Sequence, residues 1–196
     1  MKADLLRSPL ILLPMLGIAV PAAAQEGPSD TARGQVAVSG SVARLCILGE
    51  PSRAVIDIGQ MVQTSGASVG RIAALSAQSV TLPGSFCNFA GSVLGVTASA
   101  LVDGSGAAPP AGFARAVNYT ATASGWGSGD AEATTSAAFD GTNPDASGSG
   151  TTQPEPKLGD VDVSLSSFTA PGNALLVAGN YTGLVTVTLG PVPVSE

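Results

Sequence analysis

The chain has no histidine, one tryptophan, two cysteines and little charge, with Asp, Glu, Lys and Arg making up 11% of 196 residues and aromatic side chains only 4%. Each shortage closes a class of function. Without histidine there is no Ser-His or Cys-His nucleophile pair and no imidazole to hold a metal. The cysteines, Cys46 and Cys87, form no C-x-x-C and have no cluster of partners, so a zinc or redox site is excluded by the same count. Beyond the first 24 residues Lys157 is the sole lysine, which leaves little for a serine-lysine dyad. Basic residues are too few and scattered to neutralise phosphates or anionic lipid, so neither nucleic acid nor a membrane surface is an expected partner. No cofactor is implied.

The N-terminus sets the compartment. Lys2 and Arg7 precede the apolar run Pro9 to Val20, and Ala22, Ala23 and Ala24 follow it. This is the pattern of a secretory signal peptide, residues 1–24, cut after Ala24. Its apolar stretch is shorter than the roughly 20 residues a membrane helix needs, and no later stretch is longer, so no membrane insertion is expected. Removing the peptide takes two of the 8 basic and one of the 14 acidic residues, leaving 6 minus 13, a net charge of −7. The expectation is a secreted protein of the periplasm or cell surface, with a flexible extension at 25–34 and one β domain at 35–196.

What the chain does have is glycine (25), proline (14) and many small or β-branched side chains arranged with period 2. Alternation predicts strands at Gln35–Ile47, Ala54–Ile58, Gln78–Leu82, Val93–Leu101, Ala116–Thr122, Ala131–Ala138, Val161–Phe168 and Asn180–Leu189, separated by Gly- and Pro-bearing turns. That spacing predicts an all-β, antiparallel sandwich. In the first strand Val36, Val38, Val42 and Cys46 share a face; in the last, Tyr181, Val185, Val187 and Leu189 do. Both sets are expected at the core and strand-edge interface. A polar loop is expected around 140–156, with DGTNPD at Asp140 as a turn rather than a calcium loop. In an oxidising compartment two cysteines make one disulfide, Cys46 to Cys87, as a structural staple.

Several motifs taken together resemble bacterial chaperone-usher pilins and the related spore coat protein U group. GQVAVSGSVARLC places Gly34, Val36, Gly40 and Val42 in a G-x-V-x-x-x-G-x-V pattern before the first cysteine. AVIDIGQM (Ala54–Met61), VTLPGSFCNF and AGNYTGLVTVTLG (Ala178–Gly190) follow in pilin order, while VNYTA and SGWG, with Tyr119 and Trp126, are similar to the coat protein group. The resemblance implies an immunoglobulin-like sandwich and a structural subunit of a pilus, fimbria or surface coat assembling through strand edges. In pilins the sandwich lacks its final strand, and a neighbouring subunit supplies it after a periplasmic chaperone and an outer-membrane usher have handled the subunit. Residues 25–34, QEGPSDTARG, carry no alternating large apolars and make a poor donor. Pro191 and Pro193 in GPVPVSE read as an edge guarded against pairing.

Other readings stand next to this one. Trp126, between glycines, is a possible stacking platform for a sugar ring in a self-complete monomeric binding module, or a packing residue. Asp160 and Asp162 share a strand face as a carboxylate pair could, or simply lie on a solvated edge. Asn118 and Asn180 begin N-x-T sequons inside expected strands.

Overall fold

The computed structural model describes Thr31 and residues 33–192. The expected signal peptide, seven residues of the expected 25–34 extension, and Pro193 lie outside the described residues. The chain divides into two units, 1–41 and 42–196. In the first, residues 33–41 have no regular secondary structure and every side chain is exposed.

The second unit is all β. Its larger sheet runs in the order β1 (Cys46–Ile47), β2 (Gln78–Cys87), β9 (Lys157–Thr169), β6 (Ala116–Ser124), β4 (Leu101–Asp103) and β11 (Tyr181–Thr182), with β7 (Ala131–Thr134) also pairing β6. Every pairing in it is antiparallel. A second antiparallel sheet has the order β12 (Val185–Pro191), β3 (Ser92–Ala98) and β8 (Ala146–Ser149). A short parallel pair joins β5 (Phe113–Ala114) to β10 (Leu175–Leu176), which comes after a 3-10 turn at Pro171–Asn173.

Period-2 burial explains why these segments fold as they do. In β3, SVLGVTA, alternate residues are buried, and Leu94 and Val96 enter the core at 2% exposure. From β9 come Val161, Val163 and Leu165, and from β6 come Tyr119, Ala121 and Ala123. The opposite faces of these strands carry Thr122, Ser124, Asp162 and Ser164, which accept solvent. The disulfide joins Cys46 to Cys87, directly opposite each other across β1 and β2. An antiparallel all-β sandwich with one disulfide is therefore what the alternation and the cysteine count predicted.

Four local expectations differ from the structure. The strand expected over Gln35–Ile47 shrinks to Cys46–Ile47, and Val36, Val38 and Val42 are 88%, 92% and 88% exposed rather than in a core. Alternating valines fit any strand, but they do not create a partner, and no strand of this chain pairs with them among the described residues. Ala54–Ile58 forms no strand; Ile56 and Ile58 pack on the core while Val55 stays exposed. That stretch is tied to β2 irregularly, by Ser52 N–H to the Thr81 carbonyl (2.8 Å) and Arg53 Nη2 to the Ser79 carbonyl (2.6 Å). Asn180–Leu189 breaks into β11 and β12, which belong to different sheets. Gly183 sits at the break, where a Cβ would press on the Ser99 and Ala100 carbonyls. Finally, the 140–156 loop contains β8, whose ASGS sequence lacks apolar alternation. A side chain at Gly148 would collide with the Glu132 backbone, so glycine is what lets β8 cross there.

Candidate functional site: a groove along an edge strand

The two sheets do not close over one another everywhere. Where β12 ends the smaller sheet, the inner face of β2, β9 and β6 opens to a groove of about 360 Å³. Its floor is Val80, Leu82, Val163 and Leu165, with Tyr119 beside them; one wall is the Leu48–Ile56 stretch and the other is Val185 and Val187 of β12. In β12, Val185, Val187 and Leu189 point inwards and are half-buried, while Thr186 and Thr188 are exposed. Among the described residues β12 pairs with β3 alone, through the register Val185 opposite Ala98 to Pro191 opposite Ser92. No described residue pairs with its other edge, and within β12 Pro191 has no N–H to offer.

The groove's lining is mostly apolar. Among its lining residues the polar groups are the Tyr119 hydroxyl, which donates to the Ser99 carbonyl at 2.8 Å, and Arg53, held on Ser79. Burial pushes the Tyr119 phenol from its ordinary 10.0 up to about 12, so it keeps its proton at neutral pH. Tyr181, whose hydroxyl donates to the Val177 carbonyl at 2.8 Å, is raised to about 12 by burial and by the negative charge of Asp103. No group of three His, Cys, Asp or Glu side chains that could hold a metal occurs among the described residues.

The remaining sequence-singled residues separate spatially from the groove. Trp126 is 1% exposed, its indole N–H donates to Ser92 Oγ at 3.0 Å, and Lys157 Nζ lies 5.5 Å from the ring centre while donating to the Gly125 and Trp126 carbonyls. A ring so enclosed presents no face on which a sugar can stack; it is a packing residue. Asp160 accepts the Gly84 N–H (2.9 Å) at the bulge where β2 shifts register, and Asp162 accepts the Thr81 hydroxyl (2.6 Å). Each carboxylate is thus engaged by β2 on the outer face of the sheet. At Asp140 the carboxylate accepts the Thr142 N–H (2.9 Å), which lowers its pKa and closes a turn. The Asn118 carboxamide bonds both the N–H and the carbonyl of Ala137, so its sequon lies within strand architecture.

Of the expected interface residues, then, Val185 and Val187 line the groove, Leu189 and Tyr181 pack against the core nearby in sequence, and Val36, Val38 and Val42 stand exposed. The floor residues of β2 and β9 were legible as core but not as an open site, because alternation marks a buried face without showing whether anything covers it. Compared with known proteins, the chain matches no family model, and no curated protein or solved structure shows significant similarity to it.

Proposed function

We propose that the protein is an exported, non-enzymatic structural subunit of a pilus or surface coat, polymerising by strand donation: the segment Gly34–Val42 of one copy fills the groove beside β12 of the next. What supports this reading is that, among the described residues, two features lack a partner strand: the stretch carrying Val36, Val38 and Val42, all almost fully exposed, and an apolar groove beside the outer edge of β12.

The two halves match in length. Val36 to Val42 spans 42 − 36 + 1, or seven residues, and β12 is seven residues long. Pairing would give main-chain hydrogen bonds along the β12 edge while alternate valines enter the groove, the division of labour that strand addition uses. Burying three valines contributes roughly 4–9 kcal/mol before the cost of association is deducted. The donor on this reading lies after residue 34, not in the polar 25–34 stretch. An apolar groove open during export would need covering, which is the role a periplasmic chaperone and usher would serve.

Sedimentation velocity on the full mature chain tests the reading. The parent should form multimers, and Val36→Asp with Val38→Asp should return it to a folded monomer, because both positions are solvent-exposed, with a melting temperature below that of the multimer, because its groove is no longer filled. A parent that stays monomeric at every concentration would overturn it.

A further inference from the structure

The outer face of the larger sheet is polar almost throughout. One cross-strand row is Ser79, Ser164, Thr122 and Glu132, and the next is Thr81, Asp162 and Ser124. Past the bulge in β2 the character changes. Ile47 of β1 lies opposite Phe86 of β2, and Phe86 lies opposite Leu158 of β9. Their chain neighbours Cys46, Cys87 and Lys157 form the adjacent row, and Cys87 is fully buried in the core, so strand alternation turns Phe86 and its partners outwards. Ile47 is 51% exposed and Leu158 71%, and Leu45, two residues before Ile47, is 50% exposed. With Phe86 half-buried between Ile47 and Leu158, three apolar side chains meeting across three strands on a largely polar face form a contiguous patch.

Its place along the chain points to what covers it. Val42, the last valine of the donor segment, is three residues before Leu45, and three residues of extended chain reach at most about 10 Å. Any molecule that grips the segment through Val42 is thereby brought against this end of the sheet. We propose that Ile47, Phe86 and Leu158, with Leu45, are a second docking surface for another copy of this chain, engaged by the copy whose groove holds the Gly34–Val42 segment. The inference rests on strand donation. A strand inserted head to tail makes a heterologous contact that does not close, and a single extended tether leaves successive copies free to swivel; a second contact at the root of the tether fixes their orientation.

A photoreactive benzoylphenylalanine in place of Leu158, in the full mature chain, reads this directly. The expected product is a cross-link to a second copy, lost when Val36→Asp and Val38→Asp are added. Ile47→Ser with Leu158→Ser should leave the far-ultraviolet circular dichroism spectrum unchanged, since both side chains are exposed, and weaken association about tenfold, the equivalent of 1.4 kcal/mol. Multimers that form normally with no cross-link, and with the serine variant equally tight, overturn the docking surface but leave strand donation standing. A cross-link confined to one chain, or one that persists in the aspartate variant, also overturns it. Failure of the parent to form multimers at all removes both proposals.

Discussion

Trp126 shows how a residue's neighbours decide its role. Placed between glycines, it reads in sequence as a ring held out on a loop, yet its indole N–H is satisfied by Ser92 and the Lys157 ammonium lies over its ring. Neither partner is near it in sequence, which is why the packing role was one of two readings there. Trp126→Ala should cost about 3–5 kcal/mol, seen as a large fall in melting temperature, because it empties a core site that cannot fully collapse. The two tyrosines supply a second residue-scale expectation. Their folded pKa values, about 12, lie above the ordinary 10.0, so the stabilisation they reflect is fully present below pH 10.0 and is lost as pH rises towards 12. A spectrophotometric titration should show phenolate appearing together with alkaline unfolding. Ionisation near pH 10 with the fold intact would contradict the burial of both rings.

Among the elements, those with large alternating side chains were legible and those without were not. β3, β6 and β9 place Leu94, Val96, Tyr119, Val161, Val163 and Leu165 at alternate inward positions and lie close to where the pattern predicts, whereas β12, with Val185, Val187 and Leu189, starts five residues later than expected. β8 is ASGS, and its place in the sheet is set by the absence of a side chain at Gly148 rather than by any apolar signal. Gly148→Val should therefore detach β8 from β3, costing about 1–3 kcal/mol as an overpacked contact, with amides of the 146–149 stretch becoming fast in hydrogen exchange. The donor segment failed in the opposite direction. Its valines predict a strand strongly, and the missing ingredient is a partner, which alternation cannot supply. The cysteine pair was legible because only one pairing exists. Replacing both with serine removes a cross-link closing a loop of about 40 residues and should lower stability by about 4 kcal/mol, measurable by urea denaturation.

At the scale of the whole molecule, the account turns on three features of the described residues: a strand edge without a partner, an apolar groove and the unpaired Gly34–Val42 segment. Low charge and one disulfide describe an ordinary β domain, and they are silent on whether the sandwich is complete. The groove is what distinguishes the two cases, since a self-complete domain would gain nothing from an added strand. Hydrogen exchange at β12 measures this most directly. The Val36→Asp, Val38→Asp chain, with its own segment disabled, is mixed with a synthetic peptide of residues 34–43, and the amides of Val185–Leu189 are followed. The account predicts that the peptide slows their exchange and raises the melting temperature, and that the same peptide with aspartate at the two valines does neither. Exchange at β12 that is already slow without peptide, or unchanged by it, would contradict strand donation.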